Sequence, residues 1–422
     1  MSRTARGGPV LVVLVVALVA GWLVSGAASV PAASPPASVG WVGTWASVPT
    51  ATPAVATPVV DDETVRQVVH VSVGGDSVRL RLTNEFGRTA LRIGEVRLAR
   101  RAGTSGTDIV ASTDRGITFG GRRSVSVPAG APIVSDPVRL RVPADGDLVV
   151  SVYLPERTPV TSMHNFAIQE NVVAAGNVAG ERAVVADRTI TAWYFLSSVS
   201  VRTADRGAVV ALGDSITNGF ETDLNANHRW PDLYADRSRS AVLNLGVAGN
   251  RLLHDPNPPP GSDAESFAAF FGDSALRRFD RDVLAQSGVS DVIVLLGVND
   301  LGHPGTTAPE SETVTAEEII GAHRQLVVRA HAAGLRIHGA TILPFKGDTL
   351  GFHTPENEAK RQAVNRWLRT SGTYDTVVDL DVALRDPADP LRLRPAYDSG
   401  DHLHPNDAGM AAIAEAIPLT LG

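Results

Sequence analysis

From about Arg206 to the C-terminus, short apolar runs alternate with stretches of helical period, and that alternation leaves few folds open. The runs at 208–212, 241–245, 292–296, 336–343 and 376–380 are short and apolar, as strands buried on both faces are. Between them lie amphipathic stretches such as 316–333, where Ile319, Ile320, Leu326 and Val327 share a face. Five strands separated by helices predict an α/β fold: a parallel sheet covered on both sides and wound by right-handed crossovers.

Residues 41–205 follow another period. Val78-Arg79-Leu80-Arg81-Leu82 and Val138-Arg139-Leu140-Arg141-Val142 alternate apolar with charged residues, the mark of half-buried strands. Turn signals such as Gly74-Gly75-Asp76, Gly120-Gly121 and Asp145-Gly146-Asp147 separate such runs at short intervals. An antiparallel β-sandwich is the expected architecture. The two regions show no internal repeat and do not resemble one another.

The N-terminus reads as an export address. Arg3 and Arg6 precede an uncharged apolar run at 9–24, followed by Ser25-Gly26-Ala27-Ala28-Ser29. As a helix that run would span about 24 Å, short of the ~30 Å hydrocarbon core. Cleavage near Ala28 is the preferred reading, and a retained anchor the alternative, the one route by which a membrane would be a partner. The expected division is 1–28 signal peptide, 29–40 linker, 41–205 β-rich accessory domain and 206–422 catalytic domain. A secreted bacterial protein is expected. Cysteine is absent, which removes disulfides, thiolate metal sites, a cysteine nucleophile and a lipoprotein attachment point together. With a net charge of −7, no general attraction to phosphate backbones exists, so nucleic acid is not an expected partner. Nothing in the sequence sets an oligomeric state.

The chemistry gathers where strands end. Val209-Val210-Ala211-Leu212 runs into Gly213-Asp214-Ser215, and the carboxyl ends of strands are where open α/β sheets bind ligands. Alone, Gly-Asp-Ser is weak, since all three are ordinary turn residues. The second strand ends in Gly246-Val247-Ala248-Gly249-Asn250-Arg251, a turn whose backbone N–H can closely approach a reacting oxygen. The third ends in Gly297-Val298-Asn299-Asp300, which offers a side-chain amide, and Asp401-His402-Leu403-His404-Pro405 follows near the C-terminus. Together these supply a nucleophile, a base, an orienting carboxylate and oxyanion donors.

The four blocks Gly-Asp-Ser-Ile-Thr, Gly-Xaa-Asn-Arg, Gly-Val-Asn-Asp and Asp-Xaa-Xaa-His-Pro, spanning 213–405, resemble those of the SGNH (GDSL-type) hydrolases, a family of esterases and lipases. The closest subgroup by resemblance is the secreted bacterial enzymes similar to XynE, associated with polysaccharide deacetylation. The resemblance implies a three-layer α/β/α unit with a flavodoxin-like five-stranded sheet, and a carboxylic ester hydrolase that needs no cofactor and no metal. It implies Ser215 as nucleophile, His404 as general base and Asp401 as its orienting partner. The backbone N–H groups of Ser215 and Gly249 with the Asn299 amide would form the oxyanion hole.

Several residues carry competing readings. His402 beside Asp401 could suggest a metal ligand, but no other His-rich segment completes a ligand set, and a wall or hydrogen-bonding role is preferred. Asp214 and Asp300 are read as caps or braces of turns, while Arg251 is left between substrate contact and turn support. For His164-Asn165-Phe166, Trp193-Tyr194-Phe195, Trp41 and Trp45, packing is preferred over ligand contact. The other eight histidines are assigned to surface or packing roles. Loops 254–266 and 301–311 are expected to flank the acyl pocket. The expected substrate is a small-molecule or polysaccharide ester bearing short acyl, chiefly acetyl, groups. A lipase or long-chain esterase, a thioester or amide hydrolase, and a non-catalytic polysaccharide-binding surface protein are the alternatives.

Overall fold

The structure is a computed structural model that describes residues 39–204 and 207–421. The export signal and most of the linker expected at the N-terminus lie outside the described residues, as do 205 and 206 at the expected domain boundary. Among the described residues, no helix is long and apolar enough to cross a membrane.

The N-terminal region is antiparallel, as its period-two pattern predicts. Its longer strands are β1 (Gly40–Ala46), β2 (Glu63–Val71), β3 (Gly75–Thr83), β4 (Glu95–Arg100), β5 (Val138–Val142), β6 (Gly146–Leu154), β7 (Asn171–Ala175) and β8 (Leu196–Thr203). One sheet runs β1-β8-β3, with β5 and Pro132–Val134 both pairing with β3. The other carries β7-β2-β6-β4 at its centre. The alternation sorts side chains by face: in β5, Leu140 and Val142 are buried while Arg139 and Arg141 are exposed. Val78, Leu80 and Leu82 of β3 meet Val65, Val69, Leu148, Val150 and Val152 of the facing sheet in one apolar core.

The C-terminal region is the α/β unit. Its strands are β9 (Ala208–Gly213), β10 (Ala241–Gly246), β11 (Val289–Leu295), β12 (Arg336–Ala340) and β13 (Thr376–Val378), all parallel. Their order is β10-β9-β11-β12-β13, the flavodoxin-like 2-1-3-4-5 arrangement. Connections leave β9 toward opposite edges of the sheet. That makes the end of β9 the topological switch point, the crevice where such sheets bind ligands.

Local signals set the helix ends. α1 (Ser215–Asn218) starts at Asp214, whose carboxylate accepts the Ile216 N–H at 3.0 Å. α2 (Trp230–Ser238), α3 (Ala275–Phe279) and α4 (Val298–Gly302) follow. α5 (Ala316–Ala332) opens with a Thr315/Glu318 capping box and buries Ile319, Leu326 and Val327. α6 (Pro355–Thr370) has Thr354 as cap and Pro355 in its first turn, where a missing N–H costs nothing. α7 (Leu380–Leu384) precedes α8 (Asp407–Ala416), which Asn406 caps through the Gly409 N–H.

The two regions share a core. Val42 and Trp45 of β1 belong to the same apolar cluster as Leu243 and Leu245 of β10. Gly43 packs so tightly on Leu243 that a Cβ would lie 2.8 Å from its Cδ1. Backbone groups join as well: Gly43 N–H donates to Ser287 O at 2.8 Å, and Val242 N–H on the exposed edge of β10 donates to Ser72 Oγ at 3.1 Å. That contact covers part of a sheet edge that would otherwise be open to pairing. All described residues fall in one compact unit.

Candidate active site

Ser215 opens α1 at the end of β9, and His404 arrives from the loop before α8. Ser215 Oγ and His404 Nε2 lie 2.8 Å apart, and His404 Nδ1 lies 2.5 Å from Asp401 Oδ2. The second Asp401 oxygen accepts the backbone N–H groups of Leu403 and His404, at 2.9 and 2.8 Å, and the Ser399 hydroxyl at 3.0 Å. Burial raises the Asp401 carboxyl, but the His404 hydrogen bond and charge and these backbone N–H groups outweigh it. They hold it well below the usual carboxylate range. A carboxylate, an imidazole and a hydroxyl thus form one continuous chain.

His402 makes this loop possible. It sits at φ 62°, and its Nδ1 lies 2.6 Å from Asp398 Oδ2, so its ring points away from the Ser215 chain and braces the turn. The wall or hydrogen-bonding reading holds for it. Among the described residues, the grouping that could seat an ion is instead Asp223, His228 and Asp407 on the surface.

The oxyanion donors predicted from sequence converge on the same cleft. Ser215, Gly249 and Asn299 all line it. Among the described residues, the backbone N–H groups of Ser215 and Gly249 donate to no protein acceptor. Gly249 has φ 74°, and a Cβ there would sit 2.2 Å from the Phe271 ring, so both conformation and space require glycine. The Asn299 amide is oriented by a 3.1 Å hydrogen bond to Asn250 O. Buried Arg278 ties the strand ends together, donating to Gly213 O at 3.0 Å, Leu245 O at 3.1 Å and Asn250 Oδ1 at 3.0 Å.

The neighbouring carboxylates are structural, as their positions suggested. Asp300 accepts the N–H groups of Leu252 and Leu253, at 2.7 and 2.9 Å, and so fixes the turn that carries Gly249. Asp214 caps α1, and burial pushes its carboxyl up to about 7. Arg251, open between two readings, supports the turn: its guanidinium bonds Glu312 at 2.6 Å and the Asp255 carbonyl, and the residue is buried.

The cleft has a volume of about 290 Å³ and an aromatic lining: Phe166, Phe220, Phe267, Phe271 and Phe352, with Leu350 and Leu403. Phe220 packs on the His404 ring at 4.9 Å between centroids, and Phe166 meets Phe220 edge-on at 5.5 Å. Three expectations change here. Phe166, preferred as packing, reaches the cleft from the antiparallel region. Loop 254–266 does not line it; the wall is built by Phe267 and Phe271 just beyond, while 301–311 contributes His303, Thr306 and Thr307 as expected. His303, assigned to surface or packing, is a cleft residue. Trp45, by contrast, is core, packed edge-on against Trp193 at 4.9 Å, and Trp41 lies beneath the Arg79 guanidinium.

Sequence reasoning missed the lining residues Phe220, Phe267, Phe271 and Phe352, and with them Asn218. Asn218, the last residue of α1, donates to Phe166 O at 2.9 Å and receives His164 Nε2 at 2.7 Å, so the antiparallel region grips the helix that presents Ser215. Burial drives the His164 imidazole down to about 4, leaving it neutral at ordinary pH. Only its place in the same four-residue helix as Ser215 could have flagged Asn218.

A flavodoxin-like sheet with an Asp–His–Ser chain at its switch point and N–H donors facing the same cleft defines an ester hydrolase of the serine type. Residues 211–412 match the model of the GDSL-like lipase/acylhydrolase family, so this part of the chain is a GDSL-like domain. No curated relative matches the chain. Solved structures give weaker likenesses. A G-D-S-L family protein from Desulfitobacterium hafniense DCB-2 is 21% identical, with a TM-score of 0.36, over 50% of this chain and 96% of its own. A carbohydrate esterase family 2 enzyme with a carbohydrate-binding domain, from Corynascus thermopiles (Myceliophthora fergusii), is 15% identical over 90% of this chain and 97% of its own, with a TM-score of 0.39. The acetyl xylan esterase AlAXEase is 16% identical over 50% of this chain and 96% of its own, with a TM-score of 0.33. Scores this low lend no weight to a substrate.

Proposed function

We propose that this chain is an exported serine esterase that removes short acyl groups, chiefly acetyl, from carbohydrate or similar small esters. The observation that carries the reading is the hydrogen-bonded chain from Asp401 through His404 to Ser215, ending in a cleft with unengaged N–H donors. A serine hydroxyl is a weak nucleophile near neutral pH, so His404 Nε2 takes its proton as Oγ attacks the ester carbonyl. Asp401 holds the Nδ1–H tautomer and stabilises the imidazolium that forms. The carbonyl oxygen gains charge facing the N–H groups of Ser215 and Gly249 and the Asn299 amide. His404 then protonates the departing alcohol, and the acyl-Ser215 ester is hydrolysed by water that His404 deprotonates.

A cleft of about 290 Å³, just below the roughly 300–1,000 Å³ typical of ligand pockets, suits a small ester. Its five phenylalanines favour a second reading, a longer apolar acyl chain, and a chain-length profile separates the two. Export is the part of the reading that rests on Arg3, Arg6 and the apolar run at 9–24. Expressed at full length in bacteria, the protein should hydrolyse p-nitrophenyl acetate outside the cytoplasm, with rates falling from acetyl to palmitoyl esters. Ser215→Ala should remain folded and lose at least about 10³-fold in kcat. Turnover retained in that variant sinks the nucleophile assignment, a maximum at long chains rejects the acetyl preference, and activity confined to the cytoplasm rejects export.

A further inference from the structure

His303 is the one histidine of the cleft that the acyl-transfer chemistry leaves unused. It follows α4, one turn beyond Asn299, and its ring lies between Phe271 and Phe352, with centroids 5.0 and 5.6 Å away. The residue is 4% exposed and lines the cleft. Its ring nitrogens make no hydrogen bond among the described residues, yet they are not sealed off; the sealed and unpartnered atom of this wall is Thr307 Oγ1. Burial, with the Arg251 charge adding to it, lowers the imidazole to about 3. At working pH the ring is therefore neutral, one nitrogen a donor and the other an acceptor.

A polar group walled in by aromatic carbon is unfavourable unless a ligand or water meets it. The ester carbonyl is committed to the oxyanion donors, and an acetyl group has no other polar atom. The ligand group that replaces water at His303 in the complex therefore comes from the alcohol portion, as a hydroxyl. We propose that His303 is a specificity-determining residue that hydrogen-bonds a hydroxyl on the alcohol portion of the bound ester and so selects sugar or polyol esters over simple alkyl esters. The inference rests on the esterase reading above and deepens it. The flanking phenylalanines supply flat apolar surface for the carbon skeleton of such an alcohol.

The test compares kcat/KM for a monoacetylated methyl xyloside and for ethyl acetate, which share the acyl group, in the wild type, His303→Phe and His303→Gln. Phenylalanine keeps the aromatic packing, and glutamine restores a donor and an acceptor. The sugar-to-alkyl ratio of kcat/KM should fall about 10-fold in His303→Phe, the size of one lost hydrogen bond, and recover in His303→Gln. A ratio unmoved in His303→Phe, or an equal loss on both esters, overturns the assignment while the esterase reading stands. A wild type that hydrolyses neither ester would overturn both readings.

Discussion

At the residue scale, the site depends on one carboxylate doing two jobs. One Asp401 oxygen holds the His404 ring and the other holds the loop, through the N–H groups of Leu403 and His404. Asp401→Asn can keep the loop contacts while losing the charge beside the imidazole, so it should lower kcat by about 10³–10⁴-fold with little change in fold. Its pH dependence has a definite sign. Because the folded Asp401 carboxyl is held below its ordinary value of 3.8, the stability it contributes is fully present above that value and is lost as pH falls toward the folded one. The stability gap between wild type and Asp401→Asn, measured by urea unfolding, should therefore be constant from about pH 7 to 5 and narrow below about pH 4. A gap that persists unchanged into that acidic range would contradict the ionised role.

At the element scale, α1 is too short to hold itself in place. A four-residue helix has little stability of its own, and Asp214 satisfies just one of its leading N–H groups. Asn218 supplies the missing anchorage by joining α1 to His164 and Phe166 of the antiparallel region. Arg229 at the start of α2 adds a bond to the Ala167 carbonyl. Asn218→Ala should cost about 1–3 kcal/mol in urea denaturation, because the Phe166 carbonyl and the His164 ring lose a buried partner. It should also reduce kcat, since Ser215 rides on the same helix. Wild-type stability in this variant would show that the contact carries no load. The five strands and the α5 helix were legible in the sequence because each is long or apolar enough to declare its period. The 2–3-residue strands and the 3-10 turns that carry Phe267 and Phe271 were not, because their shape is dictated by what they pack against.

At the scale of the whole molecule, the antiparallel region is part of the cleft's construction. Phe166 reaches the site from it, and its β1 shares a core with β10. We propose that residues 41–205 act as a wall and support of the site. A chain lacking them would expose Leu243 and Leu245 on an uncovered sheet edge. It should fail to give a cooperative unfolding transition and should lose hydrolysis of soluble as well as polymeric esters, as read by circular dichroism and p-nitrophenyl acetate turnover. A folded, active 206–422 fragment would instead make the region a detachable accessory module.

The sequence by itself determined the parallel sheet, the order of its strand ends and the chemical types that meet there, because strand period and the Gly-bearing blocks are local properties of the chain. It also marked Asp214 and Asp300 as caps or braces: Asp214 directly follows β9 and caps α1, while Asp300 lies inside α4 and braces the turn that carries Gly249. Only the tertiary structure decided what surrounds those groups. Phe166, Asn218, Phe271 and His303 come from four separate segments, and nothing local distinguishes them from ordinary core or loop residues. Their role arises from proximity across long stretches of chain, which packing creates and local pattern does not encode.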